Sequence, residues 1–384
     1  MRARTRFMKR QSTLFHIDGE RGFRGGERQL LYLAAALRAR GRRNVVYCRA
    51  GQELEAEAGR QGFETRFLPF LNEWDPVSAW RLAADARREG AVIHAHTSHA
   101  AGIGSLAALS GVPFVAHRRV DFAVGPLARI FKYGRAGKTV AVSSAIAKML
   151  REAGLPGNKI AVVLDGIPVT AEECAWAQVG KEHFKPAPLE QKKEYRRSLA
   201  AEFDLDTTLT WVGNLAALVP HKDHDNLLAA ALIVLLKRPK TVFLIAGRGP
   251  EEARLRDNVK RMGLLGKVVF LGQRADALPL LKSLDVYVQS SWGEGMGSVL
   301  IEAAACGVPI AATTAGGIPE VVEASRTGLL VPPRRPEELA EAILKLADDH
   351  ALARRLADEG LRQLPRFGLS RMAADMEKIY DALA

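Results

Sequence analysis

The sequence predicts an α/β protein made of two doubly wound parallel sheets, each in its own domain. The chain has 384 residues, which is more than one hydrophobic core usually supports. In both halves, short apolar runs alternate with helix-like segments, as expected of parallel strands covered by helices on both faces. Between the halves, residues 171–200 become polar and lose the strand pattern, as a linker that enters a helix would.

Each half contains its own series of strand-like runs. Those of the first half are "STLFHI", "NVVYC", "FETRFLPF", "AVIHAH", "VPFVAH", "TVAVS" and "IAVVL". Those of the second half are "LTWVG", "TVFLIAG", "KVVFLG", "DVYVQS", "PIAAT" and "GLLVP". They predict an N-terminal domain over 1–170, the linker over 171–200, a C-terminal domain over 201–368, and a last helix over 369–384 that packs back onto the first domain.

The composition is that of a soluble globular protein, with 48% hydrophobic and 26% charged residues. Its three cysteines, Cys48, Cys174 and Cys306, suit neither a disulfide framework nor a metal-binding motif, which favours a reducing compartment. The apolar stretch after the basic residues 1–10 is too short for a signal peptide. No apolar run approaches the roughly 18 residues of a transmembrane helix, so a cytoplasmic protein is expected.

Positive charge is concentrated in the first half of the chain. The net charge is +12, and residues 1–170 hold 27 Lys and Arg against 14 Asp and Glu. This asymmetry favours an anionic partner, for which nucleic acid, an acidic membrane and a phosphorylated glycan are candidates. A solvated basic surface is the alternative.

A glycine-rich turn follows the first predicted strand, where ligands of open α/β sheets bind. In "HIDGERGFRGGERQL", the strand runs into glycines that include Gly25 and Gly26, and a helix follows. Close backbone approach and the free N–H groups of the helix start favour a phosphate there; a plain strand-to-helix turn is the alternative. The pattern matches neither the dinucleotide fingerprint nor the P-loop.

Histidines mark two further strand ends. His94, His96 and His99 lie in "HAHTSHAAG", but no acidic or thiol ligand stands among them, so we expect no metal and place one or two of them at the cleft. His117 ends "VPFVAH" and is followed at once by two arginines. It is placed to hydrogen-bond a substrate hydroxyl or a developing charge; a histidine satisfied in the core is the alternative.

The loop after "LTWVG" carries a lysine close to a helix start. His221 and Lys222 precede a predicted helix whose N-cap is Asp223 or Asp225. A lysine there adds to the positive potential of the helix N-terminus, which is poorly explained unless an anion binds. An exposed lysine without a ligand is the alternative.

Two glutamates flank a second glycine-rich turn, in "WGEGMGSVLIEAAACGVP". Glu294 lies in the turn, and Glu302 lies one helical turn after Ser298 on the same face of a predicted helix. Backbone N–H groups at 296–299 would face an anion, whereas the carboxylates suit sugar hydroxyls. A sugar attached to a phosphate meets both demands; two solvated glutamates are the alternative.

These glutamates and their surroundings, "SSWGEGMGSVLIEAAACGVPIAATTAGGIPEVV", resemble the signature of retaining nucleotide-sugar transferases of glycosyltransferase family 4. Segments similar to that family recur along nearly the whole chain: "RGGERQL", "VPFVAH", "VSSAIAKML", "VLDGI" and "LIAGRGPEEARL". The resemblance implies the GT-B fold, two Rossmann-like domains facing a central cleft. It also implies hexosyl transfer from a nucleotide-diphosphate sugar, with a UDP-sugar as the first expectation, to a glycan or glycolipid acceptor.

The resemblance implies residue roles as well. The residues implied in catalysis are His117, Lys222 and Glu294. Those implied in donor binding are Gly25, Gly26, Lys222, Arg248, Glu294, Gly295, Met296, Gly297, Ser298, Val299 and Glu302. Those implied on the acceptor side are His96, Arg118 and Arg119. No metal or other cofactor is implied, because Lys222 and the helix start at 297–299 would neutralise the leaving diphosphate.

One position departs from the family pattern. Five residues before Lys222, where the family often has arginine, this chain has Ala217. Lys222 is therefore expected to work with another cation, such as Arg118, Arg119 or Arg248.

Other functions stay open. A sugar-nucleotide epimerase or a sugar phosphorylase would share the GT-B fold, and a nucleic-acid or anionic-surface binding protein would explain the basic first half but not the glutamates. The glycosyltransferase hypothesis expects no nucleic-acid partner. It expects a cell-envelope acceptor such as a lipopolysaccharide core precursor, with the basic domain near the anionic inner face of the membrane.

Overall fold

Two parallel sheets confirm the predicted fold class. The computed structural model describes residues 12–274 and 277–383, so the basic residues 1–10 and the last residue of the expected 369–384 helix lie outside the described residues. The first sheet has the order β3-β2-β1-β4-β5-β6-β7. Its strands are β1 (Leu14–Ile17), β2 (Asn44–Cys48), β3 (Glu64–Phe67), β4 (Val92–Ala95), β5 (Phe114–Arg118), β6 (Lys138–Ala141) and β7 (Ile160–Val162).

The second sheet repeats this arrangement in the other half of the chain. Its order is β10-β9-β8-β11-β12-β13, and its strands pair in parallel. The strands are β8 (Thr210–Leu215), β9 (Thr241–Ala246), β10 (Val268–Gly272), β11 (Val286–Gln289), β12 (Ile310–Thr313) and β13 (Leu329–Val331). In both sheets the order reverses beside the first strand, which is where open α/β sheets bind ligands.

Helices connect these strands. In the first half they are α1 (Gly25–Ala39), α2 (Glu53–Arg60), α3 (Pro76–Glu89), α4 (Ser98–Ala107), a π-helical turn (Ala128–Tyr133) and α5 (Ser144–Glu152). The following helices are α6 (Ala171–Trp176), α7 (Leu189–Phe203), α8 (His224–Lys237), α9 (Glu252–Arg261), α10 (Ala277–Ser283), α11 (Ser298–Ala305), α12 (Ile318–Val321), α13 (Pro336–Asp348), α14 (His350–Gln363) and α15 (Leu369–Asp381). Residues 171–200, expected to be a linker that enters a helix, contain α6, the non-helical residues 177–188 and most of α7.

Local sequence explains where helices near the cleft begin. Thr97 Oγ1 accepts a hydrogen bond from Ala100 N at 3.2 Å, which caps α4. Ser143 Oγ accepts one from Ile146 N at 3.2 Å, which caps α5. Such side chains satisfy N–H groups that have no partner within the helix.

The strands at the centre of the first sheet are buried over their whole lengths. This holds for β1, β2, β4 and β5. Helices cover a parallel sheet on both faces, which explains why these strands are mostly apolar rather than alternating in sequence. Among the described residues, no helix is long and apolar enough to cross a bilayer.

The last helix, α15, packs against the first half. Arg40 Nε donates to Glu377 Oε2 at 2.7 Å, and the hydroxyl of the buried Tyr380 lies 2.7 Å from His94 Nδ1. The C-terminal end of the chain therefore crosses back and reaches the histidines at the carboxyl edge of the first sheet.

Direct hydrogen bonds join the two halves across the cleft. Ser143 Oγ donates to the Gly295 carbonyl at 2.7 Å. The Glu320 carboxylate accepts from the backbone N–H groups of Ser144 at 2.8 Å and Ala145 at 3.1 Å, at the start of α5. A carboxylate at a helix N-terminus is stabilised by the helix dipole, so these contacts favour the arrangement in which the two halves face each other.

Candidate active site in the cleft

A cleft of about 640 Å³ separates the two halves and is lined by both. It brings together most of the site residues that the sequence predicted: Gly25, Gly26, His96, His117, Arg118, Arg119, Lys222, Glu294, Gly295, Met296, Gly297 and Ser298. Three predicted residues are not part of this lining. Val299 packs against the core, Glu302 is buried, and Arg248 is exposed.

Lys222 and Glu294 form an ion pair at the centre of the cleft. Lys222 Nζ lies 2.5 Å from Glu294 Oε2. The same oxygen accepts from Gln289 Nε2 at 3.1 Å and from Ser291 Oγ at 3.3 Å. Because Glu294 is only 8% exposed, its position is set by these partners. The carboxylate and the ammonium therefore form a preorganised polar centre.

Backbone contacts fix the loop that carries Lys222. Ser290 Oγ donates to the Lys222 carbonyl at 2.9 Å, and Trp292 N donates to the His221 carbonyl at 3.0 Å. The next residue, Asp223, has a positive φ of 52° and caps α8 by accepting from Asn226 N at 3.4 Å. The lysine loop is thus held against the strand end that leads to Glu294.

Two helix N-termini converge beside this ion pair. Gly25 is the first residue of α1 and Ser298 is the first residue of α11. A Cβ placed on Gly25 would lie 3.5 Å from Ser298 Oγ, so the two helix starts face each other across the cleft. Gly297, with a φ of 85°, supports the turn into α11. Two helix starts and an ammonium group give this region a positive potential suited to a phosphate.

Gly295 shows why the turn before α11 needs glycine. A Cβ at this position would lie 1.9 Å from the Arg119 carbonyl oxygen, which belongs to the other half. Any larger residue would push the halves apart. The glycine thus lets the turn that carries Glu294 lie against the end of β5.

Glu302 is buried on α11 and bound from the opposite half. Arg28 Nη1, on α1, lies 3.1 Å from Glu302 Oε1, and the glutamate is 4% exposed. Burial raises the pKa of Glu302, while the arginine acts in the opposite direction. Arg28 lies inside the quoted segment "RGGERQL", but the spacing of that segment does not indicate a partner 274 positions away.

Four buried imidazoles lie together at the carboxyl ends of β1, β4 and β5. The ring centroids of His94 and His96 are 4.0 Å apart, those of His94 and His117 are 5.4 Å apart, and those of His16 and His96 are 5.2 Å apart. Burial lowers the pKa of each, that of His16 to about 4. All four are therefore neutral near pH 7. His16 was not singled out from the sequence, because its run "STLFHI" indicates only a strand.

A hydrogen-bond chain enters this cluster from the cleft. Arg119 Nη1 lies 3.2 Å from His96 Nδ1, His96 Nε2 lies 3.0 Å from His16 Nδ1, and His16 Nε2 lies 2.9 Å from Asn44 Oδ1. Guanidinium only donates, and Asn44 uses its amide nitrogen to donate to the Arg42 carbonyl. The rings of His16 and His96 must therefore each carry their proton on Nε2.

This proton arrangement bears on metal binding. Ring nitrogens of His16, His94 and His96 lie within 4.8 Å of one another, which is close to the spacing of a metal site. However, the hydrogen-bond chain places a proton on His96 Nε2, and the Arg119 guanidinium repels a cation. The chemistry of the cluster therefore favours a hydrogen-bonded support for Arg119 rather than a metal centre.

Arg118, Arg119 and His117 form the wall of the cleft opposite Lys222. Arg118 Nη1 donates to the Tyr133 hydroxyl at 2.7 Å, and Arg119 Nε pairs with Asp165 Oδ1 at 3.1 Å. Both ring nitrogens of His117 and the Nη2 atom of Arg119 are buried without a partner among the described residues. Buried polar atoms are normally hydrogen-bonded, so these unpartnered atoms make His117 and Arg119 candidates for binding a ligand in the cleft.

Asp18, at the end of β1, yields a testable pH effect. Burial, followed by the charge of Glu27, raises its pKa to about 8, and its Oδ2 atom is buried without a partner among the described residues. The folded protein therefore keeps a proton that the unfolded chain releases, and the free energy of unfolding falls as pH rises from about 4 to about 8.

We expect Asp18→Asn to remove this pH dependence while keeping the hydrogen bond that Oδ1 accepts from Glu20 N at 3.0 Å. Denaturant unfolding of both proteins should show the variant gaining a few kcal/mol over wild type between about pH 4 and about pH 9. A stability difference that does not change with pH would show that Asp18 is ionised in the folded protein.

Family models match both halves of the chain. A model described as glycosyltransferase family 4 covers residues 23–171, and one described as glycosyl transferases group 1 covers residues 206–349. Both halves of the chain therefore match glycosyltransferase domains. Glu294 and Glu302, which carry the resemblance, lie in the segment that the group 1 model matches.

Curated relatives match the protein over part of their length. It is 35% identical over 185 residues to a GDP-mannose-dependent monoacylated alpha-(1-6)-phosphatidylinositol monomannoside mannosyltransferase of Corynebacterium glutamicum, over 44% of this chain and 45% of the relative. It is 28% identical over 201 residues to a lipopolysaccharide core biosynthesis mannosyltransferase of Rhizobium meliloti, over 50% of this chain and 56% of the relative. The chain thus spans about half the length of the curated relatives it matches.

Solved structures match the protein over nearly its whole length. The Anabaena protein HepE in complex with UDP and glucose superposes with a TM-score of 0.82 at 21% identity, covering 97% of this chain and 100% of that one. Sucrose-phosphate synthase of Thermosynechococcus elongatus gives 0.77 at 20% identity, covering 97% and 99%. At these identities the likeness establishes the fold, which is GT-B.

Proposed function

We propose that the protein is a retaining glycosyltransferase that moves a hexosyl group from a nucleotide-diphosphate sugar to a hydroxyl of a glycan or glycolipid. The observation that carries the proposal is the convergence of Lys222 and two helix N-termini, with Glu294 beside them and Glu302 behind them. Cations and helix starts suit the diphosphate, and carboxylates suit the hydroxyls of the sugar and ribose. A site that bound only an anion would not need two buried glutamates beside it, because carboxylates repel anions.

The contacts of Glu294 support its proposed role towards the transferred sugar. Among the described residues, the hydrogen bonds to its carboxylate from Lys222, Gln289 and Ser291 all go to Oε2. We propose that Oε1 accepts from a sugar hydroxyl while Lys222 turns its remaining N–H groups towards the diphosphate. Glu302 would bind the ribose hydroxyls after the Arg28 side chain moves away and breaks its ion pair with Glu302.

The proposed reaction breaks the bond between the anomeric carbon and the diphosphate oxygen. The acceptor hydroxyl attacks from the face on which the diphosphate departs, which retains the configuration, and a diphosphate oxygen takes the hydroxyl proton. Lys222 and the starts of α1 and α11 stabilise the charge that develops on the leaving group. The neutral His117, whose ring nitrogens are free, would hydrogen-bond a sugar hydroxyl beside the anomeric carbon.

Arg119 is the candidate that the geometry favours as a second cation in place of the arginine lost at Ala217. Its terminal Nη2 atom has no partner among the described residues and it lies in the cleft wall, which supports this role. Both terminal nitrogens of Arg118, in contrast, already donate, to the Tyr133 hydroxyl and the Phe122 carbonyl. Arg248 is exposed outside the cleft lining. The histidine chain behind Arg119 would hold its guanidinium in position.

We also propose that transfer needs no divalent metal, because protein cations and helix starts surround the proposed diphosphate position. Purified enzyme treated with EDTA and then dialysed should keep its full rate of transfer. Loss of transfer after this treatment, restored by adding manganese, would contradict the proposal.

For the donor we propose a UDP-sugar first, supported by the fold shared with HepE, whose structure holds UDP and glucose. The relative from Corynebacterium glutamicum is GDP-mannose-dependent, so GDP-mannose is the competing donor. For the acceptor we propose a cell-envelope glycan such as a lipopolysaccharide core precursor, supported by the Rhizobium meliloti relative and by the basic first half. We propose no nucleic-acid partner, since the glutamates beside the anion site suit hydroxyl groups.

Product analysis tests the proposal against other enzymes with this fold. The protein is incubated with each labelled nucleotide sugar, with and without acceptor glycans from cell envelopes. A transferase produces nucleoside diphosphate together with a labelled glycan. A changed sugar nucleotide without acceptor would identify an epimerase, and transfer from a sugar phosphate would identify a phosphorylase.

A further inference from the structure

The π-helical turn after β5 has its apolar side facing solvent. Leu127, just before the turn, and Ile130 and Phe131, within it, are 69%, 49% and 37% exposed, so all three face solvent. The side that faces the protein includes Lys132, which is only 4% exposed. A surface helix normally buries apolar side chains and exposes charged ones. We call Leu127, Ile130 and Phe131 the apolar ridge.

The inverted orientation is stabilised by specific contacts. Lys132 Nζ lies 2.5 Å from Glu73 Oε2 and 3.1 Å from Ser98 Oγ. It also lies 5.7 Å from the ring centroid of Trp74. Because a buried lysine needs such partners, the turn cannot rotate its apolar side inward without leaving Lys132 unpaired. The ridge is therefore fixed on the surface.

Other exposed apolar side chains lie near the ridge. Leu71, in the loop that Lys132 holds through Glu73, is 72% exposed. Phe122 is 51% exposed, lines the cleft, and has its ring 5.3 Å from that of His221. Arg118 connects Phe122 to the π-helical turn, since it donates to the Phe122 carbonyl and to the Tyr133 hydroxyl. Groups of exposed apolar side chains mark interaction sites.

The charges around the ridge are mostly positive. Residues 122–151 contain six Lys and Arg and no Asp or Glu, although Asp121 and Glu152 flank them. Arg135 lies 5.0 Å over the ring of Phe131, and Lys148, on α5, has a side chain 74% exposed, with Glu152 3.9 Å away. Apolar side chains that insert into a bilayer, flanked by cations that attract anionic headgroups, are the two components of interfacial membrane binding.

We propose that the apolar ridge docks the protein onto an anionic bilayer, with the mouth of the cleft turned towards the membrane surface. Leu127, Ile130 and Phe131 enter the boundary between headgroups and acyl chains, and exposed cations beside the ridge, such as Lys148, contact the headgroups. This surface lies beside the acceptor wall of the cleft. It would present a lipid-linked acceptor to Arg118 and Arg119.

Vesicle flotation of the full chain tests this inference. Vesicles of phosphatidylcholine alone are compared with vesicles of phosphatidylcholine mixed with phosphatidylglycerol, at low and at physiological salt. Wild type should float with the anionic vesicles more strongly at low salt. The triple variant Leu127→Ser, Ile130→Ser and Phe131→Ser should bind them at least about tenfold more weakly, and Arg135→Gln about fivefold more weakly.

A matched control comes from exposed leucines of the other half. Leu236 and Leu265 are 77% and 66% exposed, and the double variant Leu236→Ser and Leu265→Ser should float like wild type. Equal melting temperatures of the variants and wild type confirm that the ridge variant is folded. The vesicles hold neither donor nor acceptor, so failure of the proposed transferase activity would leave this measurement unchanged.

Three results would overturn the inference. The first is a wild-type protein that floats with neither kind of vesicle. The second is a triple variant that floats like wild type. The third is a control variant, Leu236→Ser and Leu265→Ser, that loses as much binding as the triple variant. Light scattering is measured alongside, because a ridge that covers a second copy of the chain would make wild type dimeric and the triple variant monomeric. That outcome would identify the apolar ridge as a dimer interface and not as a membrane-binding surface.

Discussion

Replacing Lys222 with alanine is expected to lower kcat/KM for sugar transfer by about 10²–10³-fold, the loss seen when a preorganised charge stabiliser is removed. The ammonium group is the cation of the ion pair with Glu294, at 2.5 Å, and it lies where the leaving diphosphate is proposed to develop charge. The effect should fall mainly on kcat, because this stabilisation is strongest in the transition state.

The Lys222→Ala protein should remain folded. Glu294 keeps its hydrogen bonds from Gln289 and Ser291, so its carboxylate is not left without partners. Lys237, which is exposed on α8, provides the matched control, and Lys237→Ala should have wild-type activity. A Lys222→Ala enzyme with near-wild-type turnover would remove this residue from the proposed mechanism.

Replacing Glu302 with glutamine is expected to weaken binding of the nucleotide by about 10–100-fold, the range of a hydrogen bond to a charged group. A carboxylate accepts hydrogen bonds from two ribose hydroxyls, whereas an amide offers one oxygen. The affected ligand should include the free nucleoside diphosphate, because the proposed contact is to ribose rather than to the transferred sugar.

Titration with UDP or GDP alone therefore tests the proposed contact between Glu302 and the ribose. Glu302→Gln should weaken this binding, and the exposed Glu341→Gln should not. If Glu302→Gln bound the free nucleotide as tightly as wild type and lost only sugar transfer, the ribose contact would be refuted. Arg28, which now pairs with Glu302, would then be the reason for its burial.

The fold followed from local sequence patterns because buried parallel strands differ sharply from the segments around them. Runs such as "TVFLIAG" and "DVYVQS" correspond to β9 and β11, and the N-cap of α8 is Asp223, one of the two residues expected. Glycine turns after strands also indicated where the cleft would lie. These features depend on residues close together in the sequence.

The pairing of side chains across the cleft did not follow from those patterns. Arg28 and Glu302, or His16 and His96, are brought together only by the packing of distant elements. Arg248 illustrates the converse, because it follows a strand end yet its side chain is exposed away from the cleft lining. The outward face of the π-helical turn was also unforeseen, since Lys132 is buried only because Glu73 and Ser98 lie beside it.

The central claim is that the cleft binds a nucleotide-diphosphate sugar through Lys222 and Glu302. Calorimetric titration of wild type, Lys222→Ala and Glu302→Gln with a panel of UDP-, GDP- and ADP-sugars tests it most directly. We predict that one nucleotide sugar saturates the wild-type protein at a single site, binds Glu302→Gln about 10–100-fold more weakly, and shows a smaller loss of binding with Lys222→Ala, whose main effect is on kcat. Saturation by no member of the panel, or binding that neither substitution weakens, would contradict the claim.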